Sequence, residues 1–360
     1  MSATFIGIMS GTSADAIDAA AVSFPDSQVK LHAVQSNPIE GALRQRITDI
    51  MQGCHDDLDS VAALDRDLGQ AFSECATALM AKLDTPPLAI GCHGQTVRHR
   101  PEQGFTVQLG AGAIIATRTG LPTITDFRSS DIALGGQGAP LVPAFHKYIF
   151  GSEKEDRVIV NIGGIANITL LPKTSGVSGF DTGPGNTLLD NWYQEHQQGP
   201  WDTDGAWSRT GIADDTLLSR LRSDTFFEQS PPKSTGLEYF NLSWLRERLN
   251  GDERPEDVQA TLRELTATGI SDAVAKALPT AKTLYLCGGG AQNAALEASI
   301  QSWLSSVKVE STAKLGIDPM WVEACAFAWL ARQRWERKAG SLPSVTGASR
   351  AAILGSLYLP

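Results

Sequence analysis

Residues 158–171 read VIVNIGGIANITLL, two runs of β-branched and apolar residues on either side of Asn-x-Gly-Gly. This is the pattern of a β-hairpin: Val and Ile suit the pleated strand, and paired glycines give the tip its backbone freedom. Residues 5–24, FIGIMSGTSADAIDAAAVSF, have the same plan, with a Ser/Gly/Thr turn and a second run beginning near Ile17. The order of elements beyond each hairpin repeats as well. The first hairpin leads through helical patterns at 39–51, with Pro38 as a first-turn residue, and at 60–83 into the strand LAIGCHGQT, which ends in His93–Thr96. The second leads through a helical stretch at 255–277 into TLYLCGGGAQN, which ends in Gly288–Asn293. Strands alternating with helices imply an α/β sheet with ligand at the strand ends, and two such halves imply two domains around a cleft.

The expected division is 1–130 and 131–360, with the final residues free to return to the first domain. Residues 126–143, DFRSSDIALGGQGAPLVP, read equally as a plain interdomain connection and as a substrate loop. The second half carries an extra segment near 201–250. The last clear helix is 320–337, with apolar residues crowded on one side.

The chain has 360 residues, enough for about two or three domains. Hydrophobic residues make up 42% and charged residues 19%, which excludes a disordered or fibrous chain. A net charge of −10 argues against duplex nucleic acid or an anionic membrane as partner, but not against a small anion held by backbone amides. The five cysteines (Cys54, Cys75, Cys92, Cys287 and Cys325) are odd in number and contain no C-x-x-C pair. That argues against a disulfide framework or structural zinc and fits a reducing cytoplasm. The first basic residue is Lys30, so no secretory signal is expected, and no apolar run reaches the roughly 18 residues of a membrane span.

Walker-type phosphate loops, G-x-S-x-G elbows, H-E-x-x-H helices and EF-hand loops do not occur in the sequence. The glycine-rich hairpin tips take their place. Such a tip aims several N–H groups one way and binds phosphate oxygens without Lys or Arg. In the first tip the hydroxyls of Ser10, Thr12 and Ser13 add donors, while Asp15 and Asp18 could hold a hydrated Mg²⁺.

The sharpest stretch is 178–186, SGFDTGPGN, ahead of the helical TLLDNWYQEH. Asp181 precedes a Gly-Pro-Gly turn that opens a helix. It reads either as the helix cap or as an ionised general base beside a phosphate site. His93, with Cys92 and His99 nearby, reads mainly as structural. Glu323, in an apolar helix, is either a solvent-edge residue or a partner for sugar hydroxyls. Asp202 and Asp204 read as a turn, and Lys233 as a solvated loop residue.

With these residues in place, the chain resembles the anhydro-N-acetylmuramic acid kinase family, of the hexokinase–actin superfamily. The stretches GIMSGTSADAID, CHGQTVRH, DFRSSDIALGGQGAPLVPAFH, VNIGGIANIT, FDTGPGN, DTDGAW, PKSTG, LCGGGAQN and MWVEACAFAWLA occur in the family's order. The resemblance implies an α/β fold of two ribonuclease-H-like domains flanking an ATP cleft. It implies ATP contacts from Gly11, Thr12, Ser13, Ala14, Asp15, Ala16, Ile17 and Asp18, and from Asn161, Gly163, Gly164 and Asn167. Gly288, Gly289, Gly290 and Asn293 would lie near the nucleoside, Asp181 matches the catalytic aspartate, and Mg²⁺ would ride on the ATP phosphates. The implied reaction opens the 1,6-anhydro ring of an amino sugar with water and phosphorylates O6, in peptidoglycan recycling, and the resemblance also suggests a homodimer. His93, Arg128 and Glu323 are the expected substrate contacts.

One departure stands out. The family usually shows GTSLDGID where this chain has GTSADAID, so Ala16 replaces a glycine and would resist a positive φ there. A tuned nucleotide affinity is the expected result. Competing readings are a sugar kinase acting on a free hydroxyl, a non-catalytic nucleotide-binding module, and a glycoside hydrolase pairing Asp181 with Glu323.

Overall fold

Both expected hairpins form, because each apolar run can bury one sheet face while its glycines and small polar residues turn the chain. In the computed structural model, which describes residues 3–11, 13–174 and 176–360, the chain divides into two units. One comprises Met1–Ile149 with Trp321–Pro360, and the other Phe150–Met320.

The first unit opens with β1 (Thr4–Ser10), β2 (Ala16–Ser23) and β3 (Lys30–Pro38), then α1 (Gly41–Met51) and α2 (Leu58–Met80). It continues through β4 (Ala89–Cys92), β5 (Gln95–Arg100), β6 (Phe105–Leu109), α3 (Gly112–Thr119), β7 (Thr123–Thr125), α4 (Ser129–Ile132) and α5 (Val142–Phe150). The second unit runs β8 (Arg157–Ile162), β9 (Ile165–Leu171), β10 (Ser178–Pro184), α6 (Thr187–His196), α7 (Asp215–Arg222), α8 (Thr225–Glu228) and α9 (Leu242–Arg246). It is completed by α10 (Pro255–Ala277), β11 (Thr283–Cys287), α11 (Ala294–Trp303) and β12 (Lys308–Ser311). The chain then returns to the first unit with α12 (Val322–Trp335), α13 (Pro343–Thr346) and β13 (Ser356–Tyr358).

The two main sheets are built alike. The first has the order β13-β7-β4-β1-β2-β3 and the second β10-β9-β8-β11-β12. In each, three antiparallel strands form a meander and two further strands add in parallel to its first strand. That is the ribonuclease-H-like sheet, present once in each unit; β13 extends the first by pairing antiparallel with β7.

Three expectations need correction. Pro38 does not start a helix; it ends β3, opposite Ala16, on an edge strand where a missing N–H is tolerated. The units divide at 149/150 rather than 130/131, because α5 packs within the first unit. The rings of Phe145 and Tyr148 lie 6.2 and 5.6 Å from that of Trp329. The helix expected at 320–337 is not apolar on one side only: from Ala324 to Ala331 every residue of α12 is buried.

That burial depends on glycine. Gly7 of β1 and Gly91 of β4 are partners across the parallel ladder, and together they make a shallow place for α12. A Cβ on Gly7 would lie 1.8 Å from the Ala324 carbonyl oxygen, and one on Gly91 2.3 Å from that of Phe327. Only bare backbone allows so close an approach of helix to sheet.

In the second unit, Gln259 of α10 is fully buried, and among the described residues neither end of its amide has a hydrogen-bond partner. Leaving such a group unsatisfied costs about 1–3 kcal/mol. Gln259→Met keeps the length and removes the polar atoms, so it should raise the urea midpoint of unfolding; an unchanged or lower midpoint would refute the assignment.

Candidate active site

The first hairpin tip lies between β1 and β2, and Thr12 within it is outside the described residues. The tip is held from below by Gln95, which is fully buried. Ser10 Oγ donates to Gln95 Oε1 at 2.7 Å, and Gln95 Nε2 donates to the Gly11 carbonyl at 3.2 Å. The Ala14 N–H closes the turn onto the same carbonyl at 3.1 Å. Nothing in the sequence marked Gln95 beyond its place in CHGQTVRH.

The expected strain at Ala16 does not arise. Ala16 begins β2, and the left-handed residue is Ala14, at φ 50°. The position that tolerates glycine best is therefore the one where the family usually has Leu. Beside it Asp15 is ion-paired with Arg44 at 2.5 Å. Asp18, on β2, faces Met9 on one side and Ser36 on the other; burial raises its carboxyl above the usual range, and the Ser36 hydrogen bond opposes that.

The second tip, Gly163–Gly164, joins β8 to β9. Its carbonyls turn toward the start of α6. The Asn186 N–H donates to the Gly163 oxygen at 2.8 Å, and the Gly185 and Thr187 N–H groups donate to the Gly164 oxygen at 2.9 and 3.1 Å. A Cβ on Gly185 would meet the Gly163 oxygen at 2.3 Å, which explains the glycine there.

The sheet register brings the predicted residues of this unit into one row. Asn161 pairs with Asn167 across β8 and β9, and Asn167 pairs with Asp181 across β9 and β10. Cys287 of β11 lies on the other side of Asn161, with Gly288 next in the chain at φ 79°. A Cβ on Gly288 would come within 2.4 Å of Asn161 Oδ1. Asn293, by contrast, uses its side chain on protein: Oδ1 accepts from the Leu296 N–H at 3.0 Å and caps α11.

Asp181 does not cap α6. The helix start is occupied by the hairpin carbonyls, and Asp181 Oδ2 accepts from the Thr235 N–H at 3.0 Å instead. Burial decides its charge state: it pushes the pKa up to about 6 against opposing effects from the Thr235 N–H and the Lys233 charge.

Lys233 is the residue that sequence pattern did not single out. It is not a solvated loop residue: its Nζ donates to the Phe226 carbonyl at 3.1 Å and stands 4.4 Å from the centre of that ring. A Lys within a Pro-rich loop gives no periodic signal of burial.

In the first unit, His93, Arg128 and Glu323 come together. Arg128 Nη2 lies 2.8 Å from His93 Nε2, and Arg128 Nη1 donates to the Gly138 carbonyl at 2.8 Å. Burial holds His93 neutral, its pKa lowered to about 3, and lowers Arg128 to about 10. Glu323, in the first turn of α12, is raised by burial and lowered by the Arg128 charge. The arrangement is a neutral imidazole, a guanidinium and a carboxyl, which can donate and accept hydrogen bonds with a polyhydroxyl ligand.

Residues 126–143 are anchored as well. Buried Asp131 accepts from the Gly138 N–H and from Thr346 Oγ1, both at 2.8 Å, so the loop is fixed to the returning segment. Asp202 accepts from the N–H groups of Trp207 and Ser208, which makes DTDGAW a capped turn. Among the described residues no three His, Cys, Asp or Glu side chains group as metal ligands.

Two units with the same ribonuclease-H-like sheet order, each opening on a glycine-rich hairpin, define a duplicated α/β fold. A family model described as anhydro-N-acetylmuramic acid kinase matches residues 3–360. Relatives carrying that name include one from Saccharophagus degradans, 47% identical over 99% of this chain and 99% of its own length. Another, from Nitrosomonas europaea, is 46% identical over 98% of this chain and 99% of its own, and one from Shewanella pealeana is 47% identical over 98% of each. The chain belongs to the anhydro-N-acetylmuramic acid kinase family.

Proposed function

We propose that this chain uses ATP and water to convert 1,6-anhydro-N-acetylmuramic acid into N-acetylmuramate 6-phosphate and ADP, with Asp181 as general base. The observation that carries the base assignment is the register row Asn161–Asn167–Asp181 beside a glycine hairpin, ending in a carboxyl whose pKa is about 6. A base with a value close to the working pH is both largely ionised and basic enough to take a proton.

The anhydro bridge joins C1 to O6, so the substrate has no free O6 to phosphorylate. Asp181 takes a proton from the water as its oxygen bonds to C1. The C1–O6 bond breaks, O6 forms its bond to the γ-phosphorus, and the bond from that phosphorus to the ADP oxygen breaks. The donated proton stays on Asp181 until it is lost to solvent.

The ATP contacts in this reading are Gly11, Ser13, Ala14, Asp15, Ala16, Ile17 and Asp18 of the first hairpin, with Thr12, and Asn161, Gly163, Gly164 and Asn167 of the second. Gly288, Gly289 and Gly290 serve the nucleoside through backbone, and Asn293 contributes by shaping the start of α11. Mg²⁺ bound to the ATP phosphates would neutralise charge on the transferred group. A half-buried Asp18 suits a contact to one of its waters, because Mg²⁺ keeps much of its hydration shell. His93, Arg128 and Glu323 are the proposed sugar contacts. The reading includes a cytoplasmic homodimer acting in cell-wall recycling.

Incubation with ATP, Mg²⁺ and the anhydro sugar in ¹⁸O-labelled water tests the reaction. The expected product is a 6-phosphorylated sugar carrying the label at C1. Phosphorylation of the opened sugar alone, or ring opening without ATP, would overturn it in favour of a free-hydroxyl kinase or a hydrolase.

A further inference from the structure

Asp181 is gripped from one side by a single short segment. Its own N–H donates to the Lys233 carbonyl at 3.2 Å, and two residues further on the Thr235 N–H donates to its carboxylate Oδ2. Lys233 carries this segment, and its side chain is bound at both ends: the stem starts at the strap, and the ammonium reaches the carbonyl and ring face of Phe226 in α8. Among the described residues nothing donates a hydrogen bond to Oδ1.

We propose that Lys233 is a positioning residue for the reaction, anchoring the 233–235 strap so that Thr235 holds Oδ2 while Oδ1 faces the attacking water. The proposal rests on the reading of Asp181 as general base. A lysine is suited to both tasks: its apolar stem packs in a part-buried place, and its charge favours the ionised carboxylate nearby. The other elements around Asp181 leave that role to Lys233. Strand β9 presents uncharged Asn167 in register, and α8 presents Phe226 and Phe227, the latter 2.9 Å from where a Cβ on Gly183 would lie. Helix α10 approaches β10 at Gly269, beside the Thr182 carbonyl, and its Lys276 acts on Lys233, lowering it further after burial.

Removing the ammonium takes away a stabiliser of the carboxylate, so the base should need a higher pH to ionise. Lys233→Met keeps the stem and loses both the anchor and the charge. We expect the acid limb of kcat/KM to move up by about 0.5–1 pH unit, with the KM for ATP unchanged. Lys233→Arg should return the limb to its wild-type position. A loss of folding alone would lower the plateau without moving the limb. An unmoved midpoint in Lys233→Met overturns the proposal, whatever its plateau. Thr235→Ala, which keeps the N–H, should leave the midpoint in place, and a shift there would likewise count against a backbone clamp. If Lys233→Met does not fold, Lys233→Gln reads the same midpoint. Asp181→Asn separates the two readings: if its kcat stays near the wild-type value, the general-base assignment fails; if kcat falls by about 10²–10⁴-fold and Lys233→Met has a wild-type limb, only the role of Lys233 fails.

Discussion

Asp181→Asn should lose about 10²–10⁴-fold in kcat, the usual contribution of a positioned general base, while ATP binding is largely retained. The same substitution should make the protein more stable at pH 8. Burial raises the folded-state pKa of Asp181 from 3.8 to about 6, so the folded protein binds the proton more tightly than the unfolded chain. For a group shifted in this direction, stability is fully present below the unfolded value near pH 4 and is lost as the pH rises through about 6. Above that, the wild-type protein keeps a carboxylate in a site that disfavours charge, at a cost of about 1–3 kcal/mol once partial solvent access is allowed for. Asparagine carries no such cost. Calorimetry at pH 8 should show a higher Tm for the variant, and the difference should vanish near pH 4. A variant that is inactive and less stable at pH 8 would mean that the carboxylate is held for structure. In the wild-type enzyme, kcat/KM should rise with pH through about 6, the value set by Asp181.

Gly7→Ala should be the most destabilising single methyl in the first unit. The added Cβ would lie 1.8 Å from the Ala324 oxygen and 2.4 Å from the Ala328 nitrogen, two backbone atoms one helical turn apart. Backbone cannot rotate away as a side chain does, so α12 must move off the sheet. Overpacking ordinarily costs about 1–3 kcal/mol, and this contact belongs at or above the top of that range. The first turn of α12 carries Glu323, so the displacement should also raise the KM for sugar. Gly41→Ala is the control: nothing lies within 4 Å of its Cβ, and a helix start gains from alanine. Urea unfolding of both variants would test the account, and equal midpoints would show that α12 adjusts without strain.

Much of this architecture could be read from local pattern. The two hairpins announced themselves through β-branched runs around glycine, and the 255–277 helix through its opening proline and length, matching α10 at both ends. Gly7 and Gly91 could not be read that way. A glycine within a strand signals a close approach but does not say what approaches, and α12 arrives from more than 200 residues away in sequence. The same distance hid the pairing of β13 with β7. Asp181 stood out as a candidate from the turn next to it, but its charge state was not legible. That depended on the hairpin carbonyls taking the start of α6, a backbone contact with no side-chain signature. Lys233 escaped for a related reason: the strap is made by main-chain groups of residues that read as loop. Glu323 stood out as a carboxylate in an apolar helix, whereas His93 read mainly as structural and Arg128, in the loop before α4, came only with the family resemblance.

The interruption of the first unit by the second has a consequence for biosynthesis. The second unit is one continuous stretch, Phe150–Met320, so all of its strands have emerged before the first unit can be finished. Until α12 and β13 leave the ribosome, the Gly7–Gly91 groove has no helix and β7 has no outer partner. A nascent chain therefore carries an unfilled apolar seam for the whole time the second unit is being made, and such seams are where chaperones bind and aggregation begins. Completion of the first unit waits for residues 321–360, whereas the second unit is continuous in sequence and can fold before them.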